Sequence, residues 1–162
     1  MKLFEAEVLL LADLLRARRE LLATAESCTG GLIAAACTSV AGSSDWFERG
    51  MVSYSNEAKS ELLGVPPALI AAHGAVSEAV VCAMAEGAVA RSHAHWSIAV
   101  TGIAGPGGAV PGKPVGTVWM AIGRRGHHAV PTLLQLSGDR EAIRTQTTTI
   151  GLRALRAALA AA

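Results

Sequence analysis

The residues best suited to chemistry are Ser27-Cys28-Thr29-Gly30-Gly31, at the point where a short apolar strand hands over to a helix. The first N–H groups of a helix lack internal partners and carry partial positive charge, so they can receive an anion or a developing oxyanion. Gly30 and Gly31 let a ligand approach the backbone closely. A serine placed there could attack a carbonyl while those donors hold the oxygen. The same residues also read as a plain Ser/Thr helix cap followed by packing glycines. They are not the G-x-S-x-G elbow of the α/β hydrolases.

A nucleophilic serine needs a base. The five histidines, His73, His93, His95, His127 and His128, form no triad pattern. His93-x-His95 lacks the cysteines or carboxylates that would complete a metal site, so no metal is expected. Lysine occurs only at positions 2, 59 and 113. Lys59 falls in the first turn of a helix expected to start near Ser55, where the dipole disfavours a cation and burial would disfavour it further. Tyr54, the sole tyrosine, ends the strand before it. A surface Lys59 paired with a nearby Glu is the competing reading. Cys28 is a second possible nucleophile, since a thiol at a helix start can be acidified.

The run Gly107-Gly-Ala-Val-Pro-Gly112-Lys113 matches seven positions of a phosphate-binding P-loop. Pro114 then stands where Ser or Thr should hold magnesium, and a strand follows instead of a helix. ATP binding is therefore not expected. A lid over a pocket and an ordinary surface loop both remain open.

These residues need elements to hold them. Helical spacing and caps predict helices over 4–19, 31–38, 55–63 and 77–93, a turn or short helix opened by Pro66-Pro67, and a last helix capped by Asp139. Strands are expected over 21–25, 51–54, 96–101, 115–122 and 129–136, the last two joined as a hairpin across 123–126, with a Gly/Pro-rich loop over 103–114. Strands alternating with helices and then a hairpin make an α/β protein, a three-layer α/β/α sandwich on a mixed sheet of about five strands. The 162 residues suit one domain over 1–162, and 51% hydrophobic residues allow a core without disulfides. With only 4% aromatics that core must be aliphatic.

A net charge of +1 gives no support for nucleic-acid binding. Arg16, Arg18 and Arg19 read as cations at a helix end. The N-terminal run has the look of a leader, but Glu5, Glu7 and Asp13 interrupt it and no cleavage site follows. No apolar run reaches membrane-spanning length. Three cysteines, an odd count, point to reduced thiols and a cytoplasmic location.

Taken in order, the blocks Ala25-Glu-Ser-Cys-Thr-Gly-Gly31, Gly42-Ser-Ser, Tyr54-Ser-Asn-Glu-Ala-Lys59, Gly64-Val, His73-Gly-Ala-Val-Ser-Glu78, Thr101-Gly-Ile-Ala-Gly-Pro106, Lys113-Pro-Val-Gly-Thr-Val118 and Gly138-Asp-Arg140 are specific. From about Leu9 onward the chain resembles the C-terminal domain of the competence/damage-inducible protein CinA, which also occurs alone as nicotinamide mononucleotide deamidase. The resemblance implies hydrolysis of nicotinamide mononucleotide to nicotinate mononucleotide and ammonia, in pyridine nucleotide recycling, with no cofactor or metal. It implies a Ser/Lys mechanism with Ser27 as nucleophile, Lys59 as base and Tyr54 assisting, a site hydroxyl at Thr101 and a motif arginine at Arg140. A homo-oligomer is implied as well. The substrate's phosphate dianion is expected at Gly30, Gly31 and Arg140, with the loop from Gly105 to Gly108 a further candidate. One departure stands out: many members carry an acidic residue after the Gly-Pro pair, where this chain has Gly107. The alternative function is a non-catalytic nucleotide-binding domain, or a partner domain in competence or DNA damage.

Overall fold

A computed structural model describes all residues 1–162. A 3-10 turn at Lys2–Phe4 leads into α1 (Glu5–Arg18), followed by β1 (Leu22–Glu26), α2 (Leu32–Thr38), a 3-10 turn at Ser43–Asp45, β2 (Phe47–Val52), α3 (Asn56–Leu63), α4 (Pro67–His73), α5 (Glu78–Ala90), β3 (Trp96–Gly102), β4 (Thr117–Arg124), β5 (Val130–Gln135) and α6 (Arg140–Ala161). The strands form one sheet in the order β2-β1-β3-β4-β5. β1 is parallel to β2 and to β3, while β4 and β5 run antiparallel as a hairpin. The sheet is mixed and lies between two layers of helices, as the alternating pattern predicts.

Strand alternation divides the core. Leu22, Ile98, Val100, Val118 and Met120 face α1, α2 and α6 in an aliphatic cluster that also takes in Trp46 and Trp96. Ala25, Ala99 and Ala121 face α3, α4 and α5. These small side chains let α5 lie close, and the Ser97 hydroxyl reaches the Ala85 carbonyl at 2.8 Å. α5 also crosses the end of α3 at Gly87, where a methyl group would overlap the Leu63 carbonyl oxygen.

The expected elements shift at their edges for physical reasons. β2 runs over Phe47–Val52, earlier than the expected 51–54. Its charged start, Glu48-Arg49, hides the strand pattern, yet an outer strand tolerates charge and these two side chains pair with each other at 2.6 Å. α5 stops at Ala90, short of 93, because the Arg125 guanidinium gathers the carbonyls of Val89, Ser92 and Ala94 into a turn.

β1 sits between the two crossovers. α2 carries the chain from β1 to β2 across one face, and α3 to α5 carry it back to β3 across the other. The connections therefore diverge beyond the carboxyl ends of β1, β2 and β3, which opens the crevice where α/β sheets bind ligands.

Candidate active site

Ser27 is the first residue after β1, held in line by its N–H donating to the Val100 carbonyl at 3.1 Å. Ser53 is the first after β2, and its N–H donates to the Glu26 carbonyl at 2.9 Å. The chain then turns, Ser55 caps α3 through Ala58 N–H at 3.0 Å, and Lys59 points back from the core-facing stripe that it shares with Leu63. The Lys59 Nζ lies 3.1 Å from Ser27 Oγ, 2.9 Å from the Ser53 carbonyl oxygen and 3.3 Å from that of Tyr54. Lys59 is 1% exposed and Ser27 8%. No carboxylate forms an ion pair with this lysine. Burial lowers its pKa from the ordinary 10.5, with the nearby Cys28 opposing weakly.

The three oxygens fit either protonation state: an ammonium donates to all three, while a neutral amine donates to the two carbonyls and turns its lone pair to the Ser27 hydroxyl proton. Burial is what favours the neutral form. The surface ion-pair reading of Lys59 does not survive this burial.

Cys28 lines the same cavity, but burial pushes its thiol up to about 12. A thiol held this high stays protonated at neutral pH, so a Cys28 nucleophile is disfavoured.

The cavity holds about 220 Å³, bounded by Ser27, Tyr54, Asn56, Lys59, Thr101 and Arg140, among others. Thr101 is buried, and its hydroxyl donates to the Ala75 carbonyl at 3.0 Å, fixing the 74–77 segment as one wall. Tyr54 is 58% exposed. Its hydroxyl accepts from Arg140 Nη2 at 3.0 Å, while Arg140 Nη1 donates to the Gly105 carbonyl at 2.8 Å. The tyrosine reaches Lys59 through its backbone and the arginine through its ring hydroxyl. Gly105 contributes a carbonyl that steadies Arg140, with its N–H and Cα outside the cavity lining. Lys113 lies apart from Ser27 and Lys59, tying its loop to the end of α4 through the His73 carbonyl at 3.1 Å.

Gly30 and Gly31 do not take the place expected of them. Both adopt left-handed φ, +58° and +98°, that only glycine accepts cheaply. Their N–H groups are already used: Gly30 donates to the Ser27 carbonyl and Gly31 to Glu26. The buried Glu26 carboxylate also accepts from Ile33 N, Ala34 N and the Thr29 hydroxyl. This carboxylate fills the start of α2, so those donors cannot hold a substrate phosphate. Neither glycine lines the cavity. The sequence reading gave no site role to Glu26, which holds the start of α2, or to Asn56, which lines the cavity. The acid at position 26 beside a serine-glycine helix start was the available signal for the first.

No three His, Cys, Asp or Glu side chains are grouped to hold a metal ion.

The CinA C-terminal domain profile matches residues 5–159. The chain belongs to the CinA C-terminal domain family. Among its relatives, the nicotinamide-nucleotide amidohydrolase PncC of Escherichia coli (strain K12) is 49% identical over 141 residues, covering 87% of this chain and 86% of that protein. A CinA-like protein of Mycobacterium marinum is 54% identical over 150 residues, 93% of this chain but 35% of the longer relative. Two crystal structures of the family superpose closely. Competence/damage inducible protein CihA from Agrobacterium tumefaciens has a TM-score of 0.91 at 41% identity, covering 96% of this chain and 94% of that one. A CinA superfamily protein from Klebsiella pneumoniae has a TM-score of 0.94 at 38% identity, covering 98% and 99%.

Proposed function

We propose that this CinA-family chain is a nicotinamide-nucleotide amidohydrolase, converting nicotinamide mononucleotide and water to nicotinate mononucleotide and ammonia. The observation that carries the reading is the buried Lys59 amine hydrogen-bonded to Ser27 beside a cavity. The similarity to PncC over most of both chains supplies the substrate.

Ser27 Oγ gives its proton to Lys59 Nζ and attacks the carboxamide carbon. The tetrahedral intermediate collapses, the C–N bond breaks, and the protonated Lys59 supplies the proton that ammonia needs on leaving. The resulting ester on Ser27 is cleaved by water, whose proton passes to Lys59. The C–Oγ bond breaks and Ser27 recovers its hydroxyl proton. Lys59 returns to the neutral state after each half, so no other acid or base is required. Tyr54 and Arg140 hold the substrate's outer part, and Thr101 keeps its lone pairs free for a substrate donor.

Three unpaired thiols, Cys28, Cys37 and Cys82, support a cytoplasmic setting, and no helix is long and apolar enough to cross a membrane. Exposed Val130 and Leu133 on the outer strand β5 support association with further copies of the chain. The deciding experiment is ammonia release from nicotinamide mononucleotide by the purified chain and by Ser27→Ala. Binding without release by the wild type would favour the non-catalytic reading instead.

A further inference from the structure

Beside the Ser27 cavity lies a second hollow of about 540 Å³, and Arg140 lines both. Ligand sites for small molecules run from about 300 to 1,000 Å³, so about 220 Å³ suits a carboxamide ring but not a ring, ribose and phosphate in series. The larger hollow is walled by Arg144 and Thr145 from α6 and by Phe4 and Leu32 opposite.

The two arginines are one turn apart in the first turns of α6, where a helix dipole disfavours cations. Neither is neutralised by a salt bridge within the chain. Arg144 donates to the Thr29 carbonyl at 3.0 Å, and Arg140 to the Gly105 carbonyl and the Tyr54 hydroxyl. These partners are neutral and leave both guanidinium charges uncompensated, with N–H groups to spare. The half-buried Thr145 hydroxyl makes no hydrogen bond within the chain. Glu141 also borders the hollow, but it is exposed and pairs with neither arginine.

We infer that Arg144, together with Arg140 and the Thr145 hydroxyl, is the receptor for the substrate's phosphate dianion. This places the phosphate on α6 and not on the start of α2, and it rests on the amidohydrolase reading above. Arg140 joins the two hollows, so the substrate lies with its carboxamide at Ser27 and its phosphate between the arginines. Arg144 also touches the carbonyl of Thr29, two residues after the nucleophile, so phosphate binding there is felt at the serine loop.

The test measures kcat/KM on nicotinamide mononucleotide and on nicotinamide riboside for the wild type, Arg144→Gln and Arg144→Lys. It is paired with calorimetric binding of ribose 5-phosphate. Arg144→Gln should reduce the preference for the mononucleotide on the order of 10- to 100-fold, chiefly through KM, and weaken ribose 5-phosphate binding in parallel. Arg144→Lys should recover part of both. An unchanged preference, or an equal loss on both substrates, overturns the inference and shows only a structural bond to Thr29. A wild type that turns over neither substrate, yet binds ribose 5-phosphate through Arg144, removes the amidohydrolase reading and leaves the anion receptor standing.

Discussion

The Lys59 amine meets the Ser27 hydroxyl at 3.1 Å while two backbone carbonyls hold it from behind. In a Ser–His–Asp site, a carboxylate orients the base and stabilises its charged form. Here the orienting groups are neutral and belong to the turn between β2 and α3. The amine is aimed without being forced to stay protonated, and burial lowers its pKa toward working range.

Replacing Ser27 with Ala should lower kcat by about 1,000-fold or more while leaving the fold intact, because the side chain shrinks by one buried oxygen. Ammonia release and circular dichroism together check this. Substantial residual turnover would remove Ser27 as nucleophile.

Lys59→Arg keeps the positive charge but cannot release a proton, since its pKa stays above about 12. Activity should fall about 100- to 10,000-fold, nearly as far as in Lys59→Ala. In the wild type the competent form is the neutral amine, which becomes populated as pH rises. A log(kcat/KM) profile should therefore climb with unit slope and level off at a pKa below 10.5, the ordinary lysine value. A profile that is flat from pH 6 to 10 would be incompatible with a lysine base.

Cys28→Ala should retain at least about a tenth of wild-type activity, because a thiol pushed up to about 12 supplies almost no thiolate. Thiol-directed alkylating reagents should inactivate the protein slowly. Rapid inactivation, protected by substrate, would return Cys28 to contention.

Tyr54 and Arg140 should act as one unit through their 3.0 Å bond. Tyr54→Phe is expected to cost about 3- to 10-fold in kcat/KM, less than Arg140→Gln. The double variant should be little worse than Arg140→Gln alone, which a double-mutant cycle reads directly. Strict additivity would show that the tyrosine works independently of the arginine.

Glu26→Ala strands three backbone N–H groups and the Thr29 hydroxyl. It should lower unfolding free energy by about 3 kcal/mol. Urea titration measures this, and a loss under about 1 kcal/mol would mean that water replaces the carboxylate easily.

The sequence by itself determined the layers and the position of Ser27 at a strand-to-helix passage. Periodicity, caps and turns in the chain locate the major elements apart from the charged start of β2, because burial of alternating or helical stripes is a local pattern. The strand-to-helix passage at Ser27 and the cap at Ser55 belong to that local record, and so do the motif blocks that carry the family. Tertiary structure decided what those residues meet. From sequence, Lys59 could be a surface lysine, since its burial depends on β1 and β2 lying side by side and on α3 folding back over them. The glycines at 30 and 31 read equally well as anion donors until Glu26, one residue beyond the last apolar position of β1, is seen to fill the helix start. Arg144 gives no local sign of function at all. Its unpaired charge beside Arg140 arises only because α6, from the far end of the chain, starts against the serine loop.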